Sequence, residues 1–297
     1  MLTVSHVSKS YGEKEVLHDL SFDIPSGTIC GFVGKNGAGK TTFFHSLLKF
    51  VGYEGEIVFN DKPFTSATYA AVGYLPEERS LMPKLTIMEQ VRYLAGLKGM
   101  STKEVAEKLP VWMERLEVKG KLTDKIKSLS KGNQQKVQLI ITLIHEPDLI
   151  ILDEPFSGLD PVNTAILKRI ILEEKERGAT IIFSDHVMTN VEELCDRLIM
   201  IHEGEIVLDG PINDIRQSYG RTRLFISGET PRERVESLPH VRSFHMTNQG
   251  NWRLILEDET AGEELFELIT EGKYIPVFDQ QTPTIDEIFK MKAGVEG

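Results

Sequence analysis

The stretch Gly34-Lys35-Asn36-Gly37-Ala38-Gly39-Lys40-Thr41-Thr42 constrains this chain more than any other. It fits G-x-x-x-x-G-K-[ST] and lies between an apolar run, TICGFV, and a helix-patterned one, TTFFHSLLKF. A strand, a glycine-rich turn and a helix in succession aim main-chain N–H groups and the positive end of the helix at one point, an arrangement suited to phosphate oxygens. The glycines let the amides turn inward, Lys40 adds a mobile ammonium for the terminal phosphates, and the Thr41 hydroxyl can reach Mg²⁺. No Asp or Glu falls between Pro25 and Val51, so a polyanion meets Lys35 and Lys40 without local acidic repulsion.

That local compensation matters because the whole chain is acidic: 34 basic and 45 acidic residues give a net charge of −11. Such a balance disfavours nucleic acid as a partner, since phosphate backbones reward positive surfaces. A length of 297 residues leaves room for two domains, and 40% apolar with 27% charged residues is globular composition. Cys30 and Cys195 are the only cysteines and sit in or beside apolar runs, which reads as buried thiols in a reducing, intracellular compartment. The N-terminus lacks the apolar core and cleavage site of a signal peptide. Apolar stretches such as Leu139 to Ile144 and Leu149 to Leu152 fall short of the roughly 18 residues a spanning helix needs, so the chain is not expected to cross a bilayer unaided.

Along the chain the hydrophobic period changes in register with the expected elements. LTVSHVS, VLHDLSFDI, TICGFVG and GEIVFN read as strands up to about residue 60, whereas residues 82 to 128 space apolar positions three and four apart and read as a helical insertion. DLIILDEP, PVNTAILKRIILEEKERG, ATIIFSDH and a helix from about Thr189 to Cys195 then alternate strand with helix. Fully apolar strands in that order imply βαβ crossovers and a parallel sheet covered on both faces. LIMIHEGEIVLDG reads as a closing hairpin turning at Glu203-Gly204. A boundary is expected near residues 217 to 223, dividing a domain of residues 1–217 from one of 218–297. The second part runs β-α-β-β-α-β, the ferredoxin-like order, and with 9 basic against 14 acidic residues it offers no obvious patch for an anionic partner.

Asp153 and Glu154 end the apolar strand Leu149 to Leu152. Adjacent strand residues point to opposite sides, so two neighbouring carboxylates can serve two targets. Asp153 is expected to hold Mg²⁺ and Glu154 to polarise an attacking water. His45, His145, His202, His240 and His245 lack metal-ligand spacing and read as packed or surface histidines, and Phe43, Phe44, Leu47 and Leu48 read as core.

Together these motifs resemble those of the ATP-binding-cassette (ABC) ATPases over residues 1 to about 215. Leu129-Ser130-Lys131-Gly132-Asn133 is similar to the family signature LSGGQ, Ser157-Gly158-Leu159-Asp160 to the D-loop, His186 to the switch histidine, and Tyr11 to the aromatic that stacks on adenine. The resemblance implies an α/β fold: a P-loop NTPase core with an antiparallel β subdomain and the helical insertion, followed by the small α+β domain. It implies ATP and Mg²⁺ as cofactors. Gly34 to Thr42 and Tyr11 would bind the nucleotide, Thr41, Asp153 and Glu77 would touch the metal, and Lys40, Glu154 and His186 would take part in catalysis. Ser130, also a good N-cap for the following helix, would with Gly132 and Asp160 face the nucleotide of a second cassette, identical or different. Two departures stand out. Lys131 replaces a signature glycine and is either a solvated charge or an added cation near the partner's γ-phosphate. Glu77, in Gly73-Tyr74-Leu75-Pro76-Glu77-Glu78, stands where the family has a glutamine; it still offers an oxygen but cannot donate as an amide does.

The resemblance implies an ATPase subunit on the inner face of the cell membrane that powers a separate transmembrane permease, and the appended domain after a GYLPEE-type cassette suggests export. The competing readings are a soluble ABC ATPase acting on ribosomes or DNA, disfavoured by a single cassette and the acidic balance, and a low-turnover nucleotide sensor, which the two departures leave open.

Overall fold

A computed structural model describes residues 1–65, 68–78 and 80–294. The chain divides into two compact units, Met1–Gly210 and Pro211–Gly297.

In the first unit, three runs with every residue buried become the middle of a parallel sheet: β3 (Ile29–Val33), β7 (Leu149–Asp153) and β8 (Thr180–Ser184). With β6 (Val72–Leu75), β9 (Arg197–His202) and β10 (Glu205–Pro211) they line up as β10-β9-β3-β8-β7-β6. All pairs from β9 to β6 are parallel. A second sheet is antiparallel, in the order β2-β1-β4-β5, built from β1 (Leu2–Tyr11), β2 (Lys14–Ile24), β4 (Glu54–Phe59) and β5 (Lys62–Pro63). Helix α1 (Lys40–Leu47) follows β3. Its Phe43 ring stacks on Phe32 of β3 at 4.7 Å between centroids and lies 5.4 Å from Phe22 of β2. This aromatic contact fixes the helix that carries the phosphate loop against both sheets.

The insertion forms α2 (Ile87–Leu97) and α3 (Thr102–Arg115), each opened by a complete capping box, Thr86 with Glu89 and Ser101 with Glu104. Both pack on α4 (Lys131–Leu143). Two further helices, α5 (Pro161–Glu176) and α6 (Met188–Leu194), make the expected crossovers. Strand alternation puts the two thiols on opposite faces of β3: Cys30 lies in the core beneath the antiparallel sheet, while the Gly31 side of the strand meets Cys195 Sγ. Both cysteines are free, and burial raises both thiol pKa values.

The second unit begins with α7 (Ile212–Ser218), continues through β11 (Arg223–Ile226), α8 (Arg232–Glu236), β12 (Val241–Met246), β13 (Trp252–Leu256), α9 (Ala261–Thr270) and β14 (Phe278–Gln281), and ends in α10 (Ile285–Lys292). Its sheet is antiparallel in the order β12-β13-β11-β14, the ferredoxin-like arrangement. Leu224, Leu254, Leu265 and Ile269 form its own core. Relative to the boundary expected at 217, α7 falls in this second unit: Ile212 and Ile215 are buried, α7 packs on α10, and Arg216 Nε donates to Pro283 O at 3.1 Å. Among the described residues, no helix is long and apolar enough to cross a membrane.

Candidate functional site

The phosphate loop leaves β3 at a place only glycine can occupy. A Cβ at Gly34 would stand 2.4 Å from Ile201 O of β9, and one at Gly39, which sits at φ +113°, would stand 2.7 Å from Leu17 Cδ2 of β2. The loop is thus pressed between two neighbouring strands, and α1 starts at once with Lys40. The Lys40 ammonium donates to Gly34 O at 2.7 Å and to Lys35 O at 3.3 Å. Burial lowers its pKa, while Glu154, Asp153 and Glu77 pull the other way.

The carboxylates come from the ends of the adjoining strands. Asp153, 3% exposed at the end of β7, accepts from Ser184 Oγ of β8 at 2.6 Å. Desolvation raises its pKa and that hydrogen bond opposes the rise. Glu154 turns out of the strand at φ 49°, a left-handed conformation held because its N–H donates to Ser184 Oγ at 3.1 Å and to Ser184 O at 3.2 Å. Simple strand alternation predicts the two acids on opposite sides; this turn instead brings both to one cleft. His186 Nδ1 donates to Glu154 Oε2 at 3.1 Å, a direction set by the carboxylate's capacity only to accept. Asp185 steadies the segment, accepting from Val187 N at 2.8 Å and Asn190 Nδ2 at 2.6 Å.

Helix α4 ties the remaining loops to this end of the sheet. Gln135 Nε2 donates to Pro155 O at 3.2 Å, next to the acidic pair, and Gln138 Nε2 reaches Pro76 O at 3.4 Å on the other side. Pro76 leads into Glu77, whose pKa is raised by desolvation and then by Glu154 and Asp153.

The result is a cleft of about 660 Å³ lined by Asn36, Gly37, Gly39, Lys40, Thr41 and Thr42 on one side and by Glu77, Asp153, Glu154 and His186 on the other. Gly34, Lys35 and Ala38 belong to the loop without lining the cleft, and Tyr11 stands about half-exposed at the end of β1 with Lys9 Nζ 4.8 Å from its ring centre. Val16 of β2 does line it and has no motif to announce it; only the pairing of β1 with β2 brings it there. Ser130, Gly132 and Asp160 lie elsewhere, next to each other. Ser130 caps α4 and Asp160 caps α5, and a Cβ on Gly132 would meet Asn163 Nδ2, which itself donates to Asp160 Oδ2 at 2.6 Å.

A phosphate loop at the carboxyl end of a parallel sheet, facing an acidic pair and a histidine, defines a nucleotide-hydrolysing P-loop enzyme. Residues 17–157 match the ABC transporter family model, and residues 210–293 match that of the ATP-binding protein DrrA1-3-like C-terminal domain. The chain is 38% identical over 295 residues to the uncharacterized ABC transporter ATP-binding protein YhaQ of Bacillus subtilis (strain 168), covering 99% of both chains. It is 30% identical to the Nod factor export ATP-binding protein I of Rhizobium meliloti (strain 1021), covering 99% of this chain and 88% of that one. A solved ATP-binding subunit of an ABC transporter superimposes with a TM-score of 0.69 at 32% identity, over 74% of this chain and 93% of that one. The chain belongs to the ABC transporter ATP-binding proteins, ATPases that power membrane transporters.

Proposed function

We propose that this ATPase energises an exporter, and that the observation carrying its chemistry is the convergence of Lys40, Asp153, Glu154 and His186 on one cleft. The loop amides and Lys40 bind and orient the triphosphate; Tyr11, half-exposed at the end of β1, is the adenine platform. Glu154 accepts a proton from the attacking water, and His186, hydrogen-bonded to Glu154, holds that carboxylate toward the phosphate end. The donor set suits Mg²⁺. The described residues contain no preformed cage of three or more acidic, histidine or cysteine ligands, and magnesium is characteristically held by one or two carboxylates together with substrate phosphates. Thr41, Asp153 and Glu77 are the residues to hold it, and when bound it supplies charge neutralisation on the phosphates. Ser130, Gly132 and Asp160, which do not line the cleft, would complete the site of a second cassette.

The membrane partner docks, in this reading, on a second, apolar cleft of about 560 Å³ in the first unit, where Phe50, Tyr74, Leu94, Leu97 and Ile141 line the walls. Phe50 is 61% and Leu97 69% exposed, a large apolar face for a soluble subunit to leave open. Pro76 and Gln138 also line this cleft, so it shares a wall with the segment that presents Glu77. The protein then works on the inner face of the cell membrane. Export is supported by the full-length likeness to a Nod factor export protein. Glu154→Gln should retain ATP binding and slow steady-state hydrolysis by about 100-fold or more; unchanged turnover would remove Glu154 from the role given to it. Detergent extraction of tagged protein should recover an integral membrane protein with it, and Leu97→Glu should release that partner.

A further inference from the structure

The second unit is rich in acid, and four of its seven arginines are paired with it. Arg223 and Arg253 both reach Glu287, Arg232 reaches Glu236 and Arg234 reaches Glu271. Among the described residues Arg216, Arg221 and Arg242 form no ion pair, and the first two open onto one polar cleft of about 640 Å³ whose lining contains no carboxylate. Asn213, Gln217, Gln280, Gln281 and Thr282 supply the rest of its polar wall. Two acids lie close by without lining the cleft: Asp214 on α7, and Glu259, whose Oε2 accepts from the Arg221 main-chain N–H at 2.8 Å. Arg216 is anchored by its Nε to Pro283 O, which restrains the guanidinium plane. Two guanidinium groups with amide and hydroxyl donors, and no carboxylate in the lining, make an oxyanion receptor in a region whose net charge argues against one.

We propose that this cleft binds a phosphate group, carried by a lipid headgroup or by a soluble small molecule. Guanidinium forks match its oxygens two at a time, and the amides of Asn213 and Gln217 are available to the ester side.

The test uses the full-length protein with its ATP cleft saturated by a non-hydrolysable ATP analogue and Mg²⁺, so that the loop around Lys40 does not compete. Calorimetric titration with inorganic phosphate should then show one saturable event. Arg216→Gln with Arg221→Gln should weaken it about tenfold or more, the scale of a lost charge-assisted hydrogen bond. Arg221→Gln alone, at an exposed position that leaves the Arg216 anchor intact, should weaken it about threefold to tenfold. Sedimentation with phosphatidylglycerol vesicles, compared with phosphatidylcholine vesicles, separates the sources. Arginine-dependent binding competed by phosphate assigns the lipid headgroup; phosphate binding without vesicle binding assigns a soluble ligand. Absence of any phosphate event, or equal affinity in wild type and both variants, overturns the proposal.

Discussion

The two polar clefts of this protein are built on opposite principles. The ATP cleft lies where β3, β6, β7 and β8 end together, so its three acidic groups and its lysine are delivered by these strands and the loops that follow them. The cleft of the second unit lies between α7, the segment leading into β11, and the end of β14, and its two arginines come from positions with no strand end to hold them. A catalytic site of the first kind requires particular main-chain shapes, Gly34 pressed against Ile201 and Glu154 in a left-handed turn. Those shapes demand particular residues in a fixed order, which is why a motif records them. The second kind requires only that two cations be left unpaired, a condition met by the placement of every other charge around them.

The largest effect expected from this contrast is on packing. Phe43 is fully buried against Phe32 and Phe22, and Phe43→Ala should cost about 3–5 kcal/mol. Because Phe43 seats the helix that begins with Lys40, nucleotide affinity should fall with stability. Leu254→Ala, in the separate core of the second unit, should cost about 2–5 kcal/mol and leave nucleotide affinity unchanged. Thermal unfolding with and without ATP analogue measures both. Loss of nucleotide binding in the Leu254 variant would show that the two units do not act independently.

The same contrast explains what the sequence revealed. The parallel strands were legible because β3, β7 and β8 are apolar without interruption, and the insertion because α2 and α3 carry both helical spacing and capping boxes. The ferredoxin-like order of the second unit was legible from strand and helix periods alone. Helix α10 was not anticipated, although Thr284 and Glu287 form a capping box with the same spacing as Thr86 and Glu89. The placement of α7 depended on burial of Ile212 and Ile215, which the neighbouring polar run QSYG masked. In the site, Lys40, Asp153, Glu154 and His186 lie on motif positions, although the turn that brings Glu154 to the same side as Asp153 is one that alternation does not predict, and Val16 of β2 has no motif.

A smaller effect, on pH, tests whether the apolar cleft of the first unit is as desolvated as its lining suggests. Burial pushes His145 down to about 4, with Lys98, Arg177 and Lys108 acting in the same direction and its hydrogen bond to Val72 O opposing them. The folded form therefore resists protonation that the unfolded chain accepts near pH 6.5. Between about pH 6.5 and 4 the unfolded state binds more protons, so stability is full above this window and falls as pH drops through it. The contribution is on the order of 2 kcal/mol after allowance for partial exposure. His145→Gln should flatten that part of the stability profile, measured by urea unfolding from pH 7 to pH 4; an unchanged slope would mean the imidazole is solvated.

The smallest effects come from the arginines, and they separate the paired from the unpaired. Glu287 lies between Arg223 and Arg253, with side-chain exposures of 19%, 12% and 24%, and also caps α10 through Thr284. Desolvation, and the charge of Arg223, lower the Arg253 pKa, so removing the acid leaves two partly buried cations facing each other. Glu287→Gln keeps the shape and should cost about 1–2 kcal/mol, less than a fully buried pair because water still reaches all three groups. Arg221→Gln removes a charge with no acid to lose and should change stability by less than about 0.5 kcal/mol. Chemical denaturation of the two variants in parallel decides the matter. A loss at Arg221 comparable to that at Glu287 would reveal an intramolecular partner and make that arginine part of the scaffold, whereas stability held constant leaves its charge available to a ligand.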